Sequence, residues 1–419
     1  MLAMPVASRS QFLRLGPFDF DAKTRIEAIY TTNVEEERPS QSTAEREDIY
    51  FIWGFDLLAS SELGPRTRLD IDTGIAIEKH VNRPDLDNSE NPFGRLRIRA
   101  ETDINRYKFY GMFTYLRESD STDDVFVPGG KKRRQVSTTH EYEAGVDWEI
   151  NNLQIGGSYL YNEERFDDSD FKEGDKNETT IDAYIRLKIT EDVGVGYTYE
   201  RKKTDFINAP AGLTDPGWEV TEKIFLDWRL PLFPRPEIIY TLGIEREDKD
   251  GEKGDWELTH TFTATDEVIL SPTLRLSGFA SYKIEQNPDE DDVEFTYGAL
   301  LEHAISPRSV QTFSASRKPV ATFGSTTDTD ETKYVYTFKT IDLFIYDLSL
   351  LASVGYSIND PVVGPTEKKW EYDAVIAHTQ PISPRVKRTI AYTYSLEDSN
   401  LEDELLEVHE VKLMFEYQF

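Results

Sequence analysis

The stretch IDAYIRLKI, residues 181–189, alternates apolar side chains with polar and charged ones. The apolar set is Ile181, Ala183, Ile185, Leu187 and Ile189, and the polar set is Asp182, Tyr184, Arg186 and Lys188. A β-strand points successive side chains to opposite faces, whereas a helix would repeat its apolar positions about every 3.6 residues. The stretch therefore predicts a strand with one apolar face and one charged face.

The same two-residue period returns along the whole chain in about twenty segments, among them residues 69–78, 141–150 and 411–419. Each segment is about ten to thirteen residues long, compared with about 5–6 residues for an ordinary strand. A strand tilted across a bilayer needs about 9–11 residues. Segment length therefore favours a barrel that spans a membrane.

The connections between segments alternate between tight turns, such as Asn105-Arg106 and Ser383-Pro384-Arg385, and long acidic loops. This alternation is typical of an up-and-down antiparallel barrel with periplasmic turns and extracellular loops. The sequence therefore predicts an all-β transmembrane barrel of about 20 strands, within a range of 18–20. We expect residues 1–22 to form a periplasmic lead-in and residues 23–419 to form the barrel.

Composition excludes several classes of protein. The 419 residues carry 47 basic and 78 acidic side chains, a net charge of -31, which argues against nucleic acid as a partner. No cysteine is present, so disulfides, thiolate metal sites and cysteine nucleophiles are excluded. No apolar run reaches the roughly 18–20 residues of a membrane helix, and the first ten residues lack the features of a signal peptide.

No recognised catalytic motif is found, so we expect no enzymatic activity. The six histidines are dispersed, and those near segment ends on apolar faces suit the interfacial belts of a barrel better than a metal site: His140, His260, His303 and His378. We expect no metal site and no cofactor, apart from Ca²⁺ or Mg²⁺ bound loosely at acidic extracellular loops such as EREDKDGEKGD. The alternative for those loops is simple solvation.

The final segment, VKLMFEYQF, ends the chain with Phe415, Tyr417 and Phe419 on one face. It resembles the C-terminal signature of bacterial outer-membrane β-barrel proteins, which the barrel-assembly machinery recognises. The resemblance implies the outer membrane of a Gram-negative bacterium as the location. It also implies outer-membrane lipid and lipopolysaccharide as surroundings, and the assembly machinery as a partner.

A second resemblance lies in residues 13–34, LRLGPFDFDAKTRIEAIYTTNV, and is carried by Gly16, Pro17, Tyr30 and Asn33. The stretch looks like the opening of a family of β-barrel porins often found with exopolysaccharide genes. This resemblance implies a porin-like barrel and defines no functional residues.

The charged faces of the segments are predicted to line an aqueous interior. The pore-lining candidates are Arg95, Arg97, Arg99, Asp70, Asp72, Glu141, Glu143, Asp147, Arg186 and Lys188. Since the inward set is mainly acidic, we expect an open pore to prefer cations or neutral polar solutes.

The loop that contains FVPGGKKRRQV supplies the candidates for a constriction, namely Lys131, Lys132, Arg133 and Arg134. Folded into the pore, these cations would face carboxylates on the wall. The alternative is a solvated loop in which the same cations offset Asp120, Asp123 and Asp124.

Three functions share the predicted fold, and fold alone does not decide between them. The first is a porin or channel for small polar solutes. The second is an export conduit, for polysaccharide or for a periplasmic partner that caps or fills the lumen. The third is a sheath that encloses a partner protein in its lumen.

Overall fold

The structure is a computed structural model that describes residues 13–33, 47–88, 90–120, 135–167, 174–207, 218–230, 236–248, 256–286, 291–321, 328–342, 346–361, 365–401 and 405–419. Within these ranges the chain is all β apart from one 3₁₀ turn, Pro84–Leu86. No helix in the described ranges is long and apolar enough to cross a membrane.

The strands are Leu13–Leu15 (β1), Phe18–Thr31 (β2), Asp48–Gly64 (β3), Thr67–His80 (β4), Phe93–Ile104 (β5), Tyr107–Asp120 (β6), Gln135–Ile150 (β7), Leu153–Phe166 (β8), Lys176–Lys188 (β9), Val193–Phe206 (β10), Trp218–Arg229 (β11), Glu237–Asp248 (β12), Glu257–Ser271 (β13), Leu274–Gln286 (β14), Asp291–Ser306 (β15), Ser309–Ala321 (β16), Asp328–Thr340 (β17), Leu348–Pro361 (β18), Glu367–Ser383 (β19), Val386–Ser399 (β20) and Leu406–Gln418 (β21).

The sheet closes on itself. From β2 onward each strand pairs antiparallel with the next, and β21 pairs with β2 over the register Lys23↔Gln418 to Thr31↔Glu410. At the same seam the Phe419 N–H donates to the Ala22 carbonyl at 3.0 Å. Closure removes the unpaired edge that an open sheet would present. The predicted all-β barrel is confirmed, with twenty long strands in the closed sheet.

The lead-in to the barrel is a small hairpin. β1 folds back on the start of β2 through Gly16, whose φ of 62° lies in the left-handed region that glycine adopts without strain. The first long strand begins at Phe18, so strand structure is already present ahead of residue 23, the predicted start of the barrel.

Three tight turns at one end of the barrel share a Ser-Pro sequence. The hydroxyls of Ser271, Ser306 and Ser383 each accept a hydrogen bond from the backbone N–H two residues later, at 3.2, 3.2 and 3.3 Å. The strand register shifts immediately before each of these serines. The hydroxyl and the fixed φ of proline together reverse the chain in few residues, as the predicted short turns require.

The two faces of the sheet differ in chemistry. On β3, Phe51 and Trp53 are 47% and 43% exposed on one face, whereas Asp56 on the other face is 9% exposed. β15 repeats this pattern, with exposed Val293 and Phe295 on the apolar face. Large apolar side chains exposed in such number require an apolar environment around the molecule.

Contacts between next-nearest strands identify the interior. Asp56 on β3 meets Arg95 on β5 at 2.9 Å, and Lys333 on β17 meets Glu371 on β19 at 2.8 Å. Strands two positions apart are separated by roughly 9–10 Å, so these side chains converge, as they do on a concave surface. The polar face is therefore the interior face of the barrel, and the apolar face is its outer face.

Candidate functional site

The interior face carries a dense ionic network at β2–β5. Arg95 Nη2 lies 2.9 Å from Asp56 Oδ1, and Arg95 Nε lies 3.1 Å from Asp72 Oδ1. Lys23 Nζ lies 3.8 Å from Asp56 Oδ2. Asp56 is largely buried, and a buried carboxylate is stable only with such partners.

The predicted pore-lining arginines of β5, which form a ladder of alternate residues Arg95, Arg97 and Arg99, lie directly beside the predicted carboxylates of β4. In the register between β4 and β5, Arg97 faces Asp72 and Arg99 faces Asp70. Arg97 Nε also lies 3.2 Å from Met112 Sδ on β6. A long loop separates β4 from β5, so the sequence places both ladders on interior faces but does not give their alignment.

Several interior glycines lie beneath side chains that reach across the wall to a partner on another strand. A methyl group at Gly74 would lie 2.6 Å from Asp56 Oδ1 and 3.4 Å from Arg95 Cζ. The same arrangement recurs around the barrel, in Asp147–Tyr184 over Gly156, Arg186–Asp227 over the β10 strand at Gly194, and Lys333–Glu371 over Gly355. Because these glycines have no side chain, long side chains lie along the wall instead of projecting into the bore.

The other predicted wall residues also lie on the interior face. Glu141 and Glu143 share a face of β7 with Asp147, whose Oδ1 accepts a hydrogen bond from Tyr184 Oη at 2.8 Å. Near the turn after β9, Arg186 and Lys188 help to line a recess of about 420 Å³. Every predicted pore-lining residue is thus on the polar face.

The interior face has a second region, of four strands, that the sequence interpretation missed. From β13 to β16 its central positions are mostly hydroxyl side chains, in contrast to the charged strands β2–β11. They are Thr259, Thr261, Thr263, Thr265, Ser277, Ser281, Thr296, Thr312, Ser314 and Ser316. The sequence does carry the signal, since the run THTFTAT at residues 259–265 places threonine at every second position.

The histidines divide between the two faces. The register places the predicted four, His140, His260, His303 and His378, on the outer face, where Tyr240 Oη lies 2.9 Å from His260 Nδ1. His80 is instead buried on the interior face, with Nδ1 2.6 Å from Asp48 Oδ2. The sequence interpretation did not single out this pair. The described residues contain no group of three or more side chains placed to hold a metal ion.

The predicted constriction residues Lys131, Lys132, Arg133 and Arg134 lie outside the described residues. Parts of the acidic loops also lie outside them, including residues 168–173 and 249–255.

The C-terminal residues Phe415, Tyr417 and Phe419 follow the outer side of the closing strand. Phe415 is 40% exposed, and the rings of Tyr417 and Phe419 meet edge to face at 4.9 Å. Since β21 pairs with both β20 and β2, these residues lie at the seam where the barrel closes.

No protein-family model matches the chain, and no curated protein matches it. Among solved structures it is similar to Pseudomonas aeruginosa OccK2 (OpdF) in complex with glucuronate, at 10% identity and a TM-score of 0.50, over 97% of this chain and 98% of that one. The shared feature is the fold, an all-β antiparallel barrel closed by twenty long strands.

Two further solved structures show a similar extent of alignment. Pseudomonas aeruginosa OccK9 (OpdG) aligns at 11% identity and a TM-score of 0.49, over 96% of this chain and 98% of that one. Acinetobacter baumannii OccAB3 aligns at 12% identity and a TM-score of 0.47, over 96% of this chain and 99% of that one. At these identities the likeness concerns the fold alone.

Proposed function

We propose that the chain is a channel in the outer membrane of a Gram-negative bacterium, through which small polar solutes cross. The observation that carries this proposal is the division of a closed barrel into an apolar outer face and a polar interior face. A closed sheet satisfies its backbone groups internally, so it is one of the few structures that tolerate surrounding lipid. A barrel of this many strands is wide enough for an aqueous lumen.

The charges of the interior face favour cations and neutral solutes over anions. Carboxylates outnumber cationic groups on the described interior positions. Several of the cations are also engaged, since Lys23, Arg95 and Arg186 each lie against an aspartate. A lumen lined with excess negative charge concentrates cations and repels anions.

The test is electrical measurement on the purified protein in planar bilayers. We expect discrete steps in single-channel current. In a KCl gradient we expect a reversal potential whose sign shows that K⁺ permeates more readily than Cl⁻. Asp70→Asn together with Asp72→Asn removes interior charge and lowers this preference. Glu222→Gln, on the outer face, makes the same type of charge change and leaves it unaltered. A protein without conductance, or one with clear anion preference, contradicts the proposal.

The same proposal covers the surroundings of the barrel. It places outer-membrane lipid and lipopolysaccharide against the outer face, and the tight turns and residues 1–22 in the periplasm. It assigns Phe415, Tyr417 and Phe419 to recognition by the barrel-assembly machinery. Kinship with the β-barrel porins found with exopolysaccharide genes is proposed from residues 13–34 alone, and the comparisons give no support to polysaccharide export.

A further inference from the structure

A recess of about 1030 Å³ opens in the hydroxyl-rich region of the interior wall, across β13–β16, and reaches the end of β11 and the start of β12. Three large apolar side chains on the interior face are exposed in its lining, namely Phe279 at 44%, Leu300 at 40% and Ile269 at 64%. Apolar side chains left open to an aqueous lumen are unfavourable for folding, and their presence inside a concave site is typical of ligand binding.

The ring of Phe279 has a defined seat. Phe279 on β14 stands opposite Gly298 on β15, and a methyl group at Gly298 would lie 2.5 Å from Phe279 Cε1. The ring therefore rests against the backbone of the neighbouring strand. Leu300 is the next interior residue along β15 after Gly298, so Phe279 and Leu300 occupy neighbouring positions on the interior face, and we call the two together the apolar platform.

Uncharged polar groups surround this platform. Thr265 stands opposite Phe279 on β13, and Ser277, Ser314 and Ser316 also line the recess. Each hydroxyl both donates and accepts hydrogen bonds. The charged groups lie further along the lining, where Arg229 Nη2 is 3.8 Å from Glu237 Oε2 and Glu267 stands opposite Ser277.

We propose that this recess is a binding subsite for a neutral pyranose sugar, inside the channel proposed above and resting on that function. A pyranose ring presents a face of C–H groups. These groups pack on the face of an aromatic ring because the π-system of the aromatic ring carries partial negative charge on that face. Its rim of hydroxyls matches the serine and threonine hydroxyls, and Glu267 accepts a further hydrogen bond. No charged residue stands directly opposite Phe279, whose cross-strand neighbours are Thr265 and Gly298.

The test is block of the ion current by D-glucose in planar bilayers. We expect a saturable decrease of single-channel current with wild-type protein, and about a tenfold higher half-blocking concentration with Phe279→Ala, the change that loss of one aromatic contact produces. Phe225→Ala is the matched control, because Phe225 also stands opposite an interior glycine, Gly196, but does not line the recess. Gel mobility of unheated samples verifies that each variant is assembled.

The outcomes separate this inference from the proposed function. A conducting channel that glucose does not block, or equal block of both alanine variants, overturns the sugar subsite and leaves the channel standing. Block by tyramine without block by glucose also overturns it, in favour of an organic cation. If no conductance is found, the channel proposal fails. Saturation-transfer NMR with glucose and detergent-solubilised protein then tests sugar binding directly: a glucose signal with wild type that is lost with Phe279→Ala supports binding in the recess, and equal signals overturn it.

Discussion

The ion pair between Asp56 and Arg95 is predicted to couple β3 to β5 across the intervening strand. For unit charges about 4 Å apart, the Coulomb energy is about 4 kcal/mol at an effective dielectric constant of 20. The side chain of Arg95 is 45% exposed and that of Asp56 only 12%, so solvent screens the pair in part. We therefore expect a coupling free energy of about 1–2 kcal/mol, between the values for an exposed pair and for a well-made charged hydrogen bond.

A double-mutant cycle measures this quantity. Asp56→Asn, Arg95→Gln and the double variant are unfolded in guanidinium in detergent micelles, and tryptophan fluorescence reports the free energy of unfolding. Arg68 and Asp70 provide the control cycle, since their atoms approach to 2.7 Å but their side chains are 61% and 36% exposed. The control coupling is expected to be at most about 0.5 kcal/mol. A coupling for Asp56 and Arg95 no larger than the control would refute the reasoning.

Three further predictions concern the turns, the seam and one loop. Ser306→Ala removes the acceptor of the Arg308 N–H and lowers the free energy of unfolding by about 0.5–1 kcal/mol in the same fluorescence assay; an unchanged value contradicts the turn motif. Removal of Phe419 lowers the assembled fraction in outer membranes, measured by heat-modifiable gel mobility, and undiminished assembly contradicts its role. The side-chain hydrogen bond from Lys79 holds the pKa of Asp87 below its ordinary 3.8, so the stability it contributes is present above about pH 4 and lost as pH falls through the lowered pKa. The protection factors of the amides in residues 81–88, obtained from hydrogen-exchange rates after correction for the intrinsic effect of pH, therefore fall in acid, and Asp87→Asn removes that fall; a fall that persists in the variant refutes the assignment.

The fold was predictable because the relevant signal is local. Alternation at residues 181–189 is enough to assign both faces of β9, and the Ser-Pro turns mark chain reversals in the sequence itself. Shifting the pairing of one strand by a single residue would move all the interior side chains of that strand to the outer face. Interior and outer positions therefore follow from the pattern of each strand taken alone.

The interior contacts were not predictable in the same way. Asp56 and Arg95 lie on strands that do not pair with each other, so their contact depends on two successive registers and on the curvature of the sheet. Phe279 belongs to the interior face by alternation, but its seat against Gly298 depends on the register between β14 and β15. The hydroxyl-rich region does have a local signal, because THTFTAT at residues 259–265 places threonine at every second position.

The glycines beneath the interior contacts have a consequence for how such a barrel diversifies. At Gly355 a methyl group would lie 3.2 Å from Glu371 Oε2, so replacing this glycine with a larger residue lifts that carboxylate off the wall and toward the axis. A single substitution there changes both the local width of the pore and the position of a charge. The hydrogen bonds of the closed sheet, and hence the circumference of the barrel, stay the same. Single substitutions at such glycines can therefore change the width and selectivity of the pore in small steps during evolution, without any change in the number of strands.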